Sequence, residues 1–304
     1  MNQYNRFSTL CLENSMTNSS HHKTLLAILA HPDDESFGIG GTLALYAGRG
    51  VSVHYICMTG GESGTVEPHF LEQYSSIAEL RYNELKCASE KLGLASFIMA
   101  GYRDSGMPGT EDNALPDALV NQPVEKVAAK LVHYIRELRP QVIVTHDPIG
   151  GYKHPDHIAT HKAVVRAFHT AGDANAYPDE PLLPFTPQKL YYQTFPKGWM
   201  KFLVPLLPLF GQDPRRFGRN KDIDILDLVK SGDFPIHTHI DYRSVDAQRE
   251  AASACHASQL ASGPPNQGPA SWFFRLLRGK ETYMRAYPEA PPTLRENDLF
   301  EGIV

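Results

Sequence analysis

The sequence predicts an α/β fold: a mostly parallel sheet with helices on both faces, followed by a Pro-rich elaboration. Three observations predict it. From Lys23 to about Thr170, short apolar runs alternate with longer helical stretches. The helical stretches carry start and stop signals of their own. Polar residues able to do chemistry follow each apolar run, where the carboxyl ends of parallel strands would lie.

Leu25–Ala30, Val51–Met58, Ser96–Ala100 and Gln141–Thr145 are continuous apolar runs, as expected of strands buried on both faces. Between them Ser36–Gly48, Ser75–Leu92 and Pro123–Leu138 read as helices. In the last, Val124, Val127, Ala128, Leu131, Ile135 and Leu138 follow the i, i+3, i+4, i+7 rule. Pro123 suits a first turn, and Arg139-Pro140 ends the helix. Strand–helix–strand units of this size make a three-layer, Rossmann-like fold. The second half differs in composition, with 15 of the 23 prolines after residue 177. Lys189–Phe195 and Ile236–Tyr242 read as further strands and Val245–Leu260 as a helix. The expectation is one domain over 23–304, with an insertion at 196–232 and a mobile tail at 1–22.

Composition excludes several classes. The 304 residues are 42% hydrophobic and 21% charged, enough to bury a core. The net charge of −5 offers no basic footprint for nucleic acid or an anionic membrane surface. Residues 1–22 lack the apolar stretch of a signal peptide. The densest apolar run, Phe202–Phe210, has nine residues and two prolines, against about 20 residues for a membrane span. A cytoplasmic protein is expected. Cys11, Cys57, Cys87 and Cys255 lie far apart with no CxxC pair, so no disulfide and a reducing compartment are expected too.

The chemistry collects after the strands. Ala30-His31-Pro32-Asp33-Asp34-Glu35 follows the first, Thr59-Gly60-Gly61-Glu62-Ser63-Gly64 the second, and Gly101-Tyr102-Arg103-Asp104-Ser105-Gly106-Met107 the third. After the fourth come His146-Asp147 and Gly150-Gly151-Tyr152-Lys153-His154-Pro155-Asp156-His157. Imidazole with carboxylate suits a borderline divalent ion, and a catalytic site keeps three protein ligands and one open position. His31 with one carboxylate of the first loop and one of His154/His157 would make that set. Of the adjacent Asp33 and Asp34, one would ligate while the other serves as base. Pro155 would sit in a first helical turn, with His154 outside the helix and His157 inside. His161, at i+4 from His157, is the rival ligand. Taken singly, an HxDD stretch is a helix cap and a lone His is a surface residue. Convergence at two strand ends of one crevice is what favours a metal. Gly38-Ile39-Gly40-Gly41 is not the GxGxxG of a dinucleotide site and fits close helix packing better.

AHPDDE at 30–35, TGGESG at 59–64 and HPDH at 154–157 resemble the PIG-L (LmbE-like) zinc-dependent de-N-acetylases. The resemblance runs from about Lys23 to about Leu260 and takes in Arg81, GYRDSGM and a late His256-Ala257-Ser258-Gln259 element. GGYKHPDH and RDSGM look most like the branch that deacetylates the sugar–inositol precursor of mycothiol or cleaves mycothiol conjugates. Residues 198–232 match nothing in the pattern. The resemblance implies a hydrolase of a linear amide that removes the acetyl group from an N-acetylglucosamine-type conjugate, with Zn2+ (Fe2+ fits the same ligands) as cofactor. It implies His31, Asp34 and His157 as ligands and Asp33 as general base, then acid to the departing amine. Tyr152 and a protonated His154 would stabilise the oxyanion, Asp156 would orient a histidine, and Arg81, Asp104 and Met107 would line the sugar pocket. An amidase for a larger acyl group, a nucleotide-binding module and a non-catalytic metal or sugar binder are the alternatives. The insertion is expected either to pack as a loop or to act as a lid or subunit contact in a homo-oligomer.

Overall fold

The structure is a computed structural model of the chain and describes residues 22–198, 200–210, 213–216, 224–260 and 279–303. The tail expected to be mobile lies, apart from His22, outside the described residues. The first half runs β1 (Thr24–Leu29), α1 (Asp34–Gly38), α2 (Gly40–Gly48), β2 (Ser52–Thr59), α3 (Ile77–Leu92), β3 (Ser96–Tyr102), α4 (Val124–Leu138), β4 (Val142–Thr145), α5 (Gly150–Lys153) and α6 (Pro155–Thr170). The second half adds β5 (Lys189–Thr194), α7 (Met200–Leu203), α8 (Ile225–Lys230), β6 (Thr238–Asp241), α9 (Asp246–Cys255) and β7 (Lys280–Tyr287).

Among the described residues seven strands form one sheet in the order β3-β2-β1-β4-β5-β7-β6. β1 to β5 are mutually parallel, while β7 runs antiparallel to both β5 and β6. The apolar runs are buried on both faces, yet alternate residues serve different cores. Leu25, Ala27 and Leu29 join Leu43, Leu85, Ala88 and Ala252 on the side of α2, α3 and α9. Leu26 and Ile28 join Val127, Leu131, Ile135, Val164 and Phe168 on the side of α4 and α6. These are the three layers expected.

Local signals explain the element ends. The Ser76 side chain caps α3 by accepting from Glu79 N at 3.1 Å, and Gly93 at φ 73° closes the helix. The helix expected over Ser36–Gly48 is two, because Ile39 (φ −137°, ψ 15°) breaks the chain between α1 and α2. The expected Val245–Leu260 helix ends at Cys255, with His256 out of helical conformation. β7 has no counterpart in the sequence reading: its alternating KETYMRAY offers no continuous apolar run.

The Gly38–Gly41 segment answers the nucleotide reading. A Cβ on Gly41 would stand 2.1 Å from the Tyr242 ring, so glycine there permits close packing. The amides of Gly41 and Thr42 that would cradle a phosphate instead donate to Glu281 Oε1 and Oε2, at 2.9 and 2.7 Å.

The cysteine expectation is corrected. Cys87 of α3 and Cys255 at the end of α9 form a disulfide, while Cys57 is free and buried. Their 168-residue separation hid the pairing, which arises only because α3 packs on α9. No described helix is long and apolar enough to cross a membrane. A peptide map of unreduced protein is expected to join the fragments holding Cys87 and Cys255, and Cys87→Ser is expected to lower unfolding free energy by about 2–5 kcal/mol. Unlinked fragments with an unchanged urea midpoint would contradict the bridge.

Candidate active site

In a doubly wound sheet the crevice opens where strand order reverses. Here that point lies between β1 and β4, neighbours whose onward connections run to opposite sides. Residues 30–35 leave the end of β1, and His146, α5 and the start of α6 leave the end of β4. Pro155 opens α6 at its first position, His154 caps it, and His157 lies within the helix, as the sequence predicts.

His31 Nδ1, His157 Nε2 and Asp34 Oδ2 form a triangle with sides of 3.2, 3.5 and 3.6 Å. Ligand atoms on a tetrahedral zinc-sized ion stand about 3.3–3.6 Å apart. The donor set therefore fits such an ion with one position left for solvent or substrate. The chemistry of the surroundings fits as well. Asp33, Asp34, Asp104 and Asp156 converge here, and Arg81 is the permanent cation beside Asp33 and Asp104. Two overlapping groups, Asp34–His146–His157 and His31–His154–His157, bring their ligand atoms within 4.8 Å, as does His31–Asp104–Asp156.

Hydrogen bonds separate these groups. His31 Nε2 lies 3.3 Å from Asp156 Oδ2, which leaves Nδ1 free as a donor atom. Asp156 is fully buried and is itself held by the Ser105 amide at 2.8 Å and the Ser105 hydroxyl. It orients a histidine as expected, and that histidine is His31. His146 Nε2 is occupied by the Ala30 amide at 3.1 Å, and its ring stacks on His157 at 3.8 Å. The sequence reading places His146 directly after β4 but gives it no role. His161 points its Nδ1 to the His146 carbonyl at 3.0 Å and packs against Tyr192, away from the triangle.

Asp33 and Asp34 diverge. Asp34 Oδ2 accepts from the His31 amide at 2.9 Å and faces His31, His146 and His157. Asp33 Oδ2 receives Arg81 at 2.8 Å, and its side chain makes no helix-cap bond, so the capping interpretation of Asp33 fails. The divergence is built into the backbone: Asp33 sits at φ 135°, ψ −27°. A residue with a Cβ pays about 1–3 kcal/mol for such a conformation, so the surroundings must hold it. Arg81 does part of this, bonding Pro32 O at 2.5 Å and Gly61 O at 3.2 Å. Gly61, at φ 69°, is required there, since a Cβ would fall 2.1 Å from the Arg81 guanidinium. Burial pushes the Asp33 carboxyl up to about 6, against the pull of Arg81. Burial also acts on Asp34, but the neighbouring histidines more than offset it and hold its carboxyl well below the usual range.

Tyr152 stands edge-on to His157 at 5.1 Å, and burial raises its phenol, keeping the O–H a donor. Two features of the structure run against the expected protonation of His154. Its Nδ1 accepts from the Asp156 amide at 3.2 Å, and burial followed by the nearby His31 lowers it to about 3. Both features favour the neutral imidazole, with its proton on Nε2. Of the three residues expected to line the sugar pocket, Met107 borders an open recess of about 220 Å³ with Pro108, Tyr152 and Lys153. Arg81 and Asp104 are 3% and 4% exposed, behind Asp33 and His31 respectively. Glu62 of the second loop holds the Asp104 amide at 3.0 Å.

Fold and site define an α/β protein with a buried histidine–carboxylate group, fit for a divalent ion, at the switch point of its sheet. The chain belongs to the PIG-L family, described as GlcNAc-PI de-N-acetylase, whose pattern matches residues 26–168. It is 35% identical to a 1D-myo-inositol 2-acetamido-2-deoxy-alpha-D-glucopyranoside deacetylase of Streptomyces scabiei, covering 92% of this chain and 89% of that one. The same-named protein of Acidothermus cellulolyticus is 35% identical, over 92% and 95%. The fold matches N,N'-diacetylchitobiose deacetylase from Pyrococcus horikoshii (TM-score 0.59, 20% identity, 93% and 87% covered). It also matches GalB, the 4-carboxy-2-hydroxymuconate hydratase from Pseudomonas putida KT2440 (TM-score 0.55, 20% identity, 88% and 98% covered). The fold alone thus hosts different chemistries.

Breaking the Arg81–Asp33 pair leaves a carboxylate without its cation in a mostly buried place. Arg81→Met is expected to cost roughly 3 kcal/mol in urea denaturation, part of it recovered in Arg81→Met/Asp33→Asn. A loss below about 1 kcal/mol, or no recovery, would contradict the pairing.

Proposed function

We propose that the protein is a divalent-metal hydrolase that removes the acetyl group from an N-acetylglucosamine conjugate. A sugar–inositol is the favoured substrate, by similarity to relatives named for that reaction. The observation that carries this reading is the His31–Asp34–His157 triangle with a second, separately held carboxylate, Asp33, beside it. These three residues would hold the ion, with zinc favoured by two imidazoles and one carboxylate. When bound, the ion would supply Lewis-acid polarisation of the amide carbonyl and of the attacking water.

The chain's own groups do the rest. Asp33 takes the proton from the attacking water and passes it to the departing amine, with Arg81 steadying the carboxylate before the first transfer and after the second. His154, neutral and donating through Nε2, and the Tyr152 hydroxyl hydrogen-bond the developing oxyanion. Asp156 fixes the His31 ring. Arg81 and Asp104 shape the sugar site from behind, while Met107 contacts it from the recess. The products are acetate and a free amine. The reading includes a cytoplasmic site of action.

A panel of N-acetylglucosamine conjugates, inositol among the partners, is expected to yield free amine with the metal-loaded protein. Asp33→Asn is expected to keep one metal per chain and lose roughly 10²–10⁴-fold in kcat. His157→Ala is expected to lose the metal, and His161→Ala to keep it. A fully loaded His157→Ala protein, or a near-native Asp33→Asn, would refute the assignment.

The described end of the insertion borders the recess beside Tyr152. Asp224, Asp227 and Leu228 close the far side of the Met107–Tyr152 recess, and Asp227 pairs with Lys153. We therefore favour the lid role for this segment. Replacing residues 200–218 with a Gly/Ser linker is expected to change KM and substrate preference while bound metal stays at one per chain. An unchanged substrate profile in a folded variant would reduce the segment to packing.

A further inference from the structure

We propose that His256 and Glu35 are positioning residues for Asp33: their buried pair holds the backbone that turns Asp33 away from the metal group while Asp34 turns into it. The inference rests on the reading of Asp33 as base. Two adjacent aspartates cannot divide the roles of ligand and base unless the peptide between them is fixed. The φ of 135° at Asp33 is the conformation that separates them, and a residue with a Cβ does not rest there unaided.

The Asp33 peptide is held from two sides. On one, Arg81 grips Pro32 O and the Asp33 carboxylate. On the other, the Asp33 amide donates to Glu35 Oε2 at 2.9 Å. Glu35 is completely buried, and its Oε1 receives the Ser36 hydroxyl and His256 Nε2, each at 2.6 Å. His256 is also completely buried, and its Nδ1 has no hydrogen-bond partner among the described residues, so the bond to Glu35 is the polar contact its ring makes there. Phe37 packs edge-on against that ring at 5.7 Å. A buried glutamate reaching back two residues to an amide would be free to choose another rotamer without this anchor. With it, the carboxylate has one orientation, and the strained peptide has a fixed acceptor.

The anchor comes from 221 residues away, and its own placement is secured. His256 follows Cys255, which is bridged to Cys87 of α3, the helix that carries Arg81. Both supports of Asp33 therefore stand on one frame, α3 joined to the end of α9.

The test uses the metal-loaded full chain with an N-acetylglucosamine conjugate and a coupling cycle. His256→Ala is expected to lower kcat by about 10–100-fold, the range for partners that orient a site group. KM is expected to stay within threefold, roughly, since the change lies behind the base. Metal per chain, measured by equilibrium dialysis, is expected to stay at one. His256→Gln, whose side-chain amide can reach the Nε2 position, is expected to restore most of the rate. In the Asp33→Asn background the His256→Ala loss is expected to vanish, because the residue acts through Asp33. Losses that multiply in the double variant would overturn the proposal while leaving Asp33 as base, and so would a native kcat in His256→Ala. Reduced metal affinity with native kcat at saturation would overturn it too, by showing that the pair serves Asp34. A fully active Asp33→Asn would instead sink the underlying reading. If His256→Ala does not fold, Glu35→Gln carries the same cycle with the same expected outcomes.

Discussion

Buried negative charge is the constraint on which the rest of the structure depends. Asp104 and Asp156, buried, and Asp33 and Asp34, half-buried, crowd the mouth between β1 and β4, where water screens them poorly from one another. Such a set persists only if each carboxylate has a dedicated partner. Arg81 serves Asp33, the Ser105 amide and His31 serve Asp156, the Gly106 amide serves Asp104, and histidines serve Asp34. The charge left over is what a divalent cation balances, so the site reads as one built around an ion. The Gly61 turn and the Glu62 contact exist to hold these partners in place.

The same constraint explains why the loops are so short and so tied. Residues 30–35 hold a ligand pair, the base and the positioning glutamate within six positions, and the amides of His31 and Asp33 have carboxylate acceptors. The sheet supplies rigidity beneath them, because β1 is buried along its whole length between two cores. The amides at the start of α2, the natural place for a phosphate in this fold, are spent on Glu281. The crevice is thereby reserved for the ends of β1 and β4.

What the sequence makes legible follows the range of the interactions. β1 to β4, α3, α4 and α6 depend on local periodicity and caps, and their positions match expectation within a few residues. His31, the Asp33–Asp34 pair and the His154/His157 pair are legible because strand ends in a parallel sheet must converge. β7 escaped because its partners, β5 and β6, are distant in sequence and supply the burial its own pattern does not advertise. The Cys87–Cys255 bridge and the Glu35–His256 pair escaped for the same reason: both are made by the docking of α9. The burial and the capping bond that bear on the charge of His154 are tertiary facts. The choice between Asp33 and Asp34 depends on one backbone angle that no composition reveals.

The central claim is that one ion sits on His31, Asp34 and His157 with Asp33 standing free. Anomalous diffraction from crystals of the zinc-loaded protein tests it most directly. The account predicts a single peak within about 2.0–2.2 Å of His31 Nδ1, His157 Nε2 and an Asp34 oxygen, with Asp33 on Arg81. A peak bonded instead to His146 with Asp34, or to Asp104 and Asp156 beside His31, would contradict it.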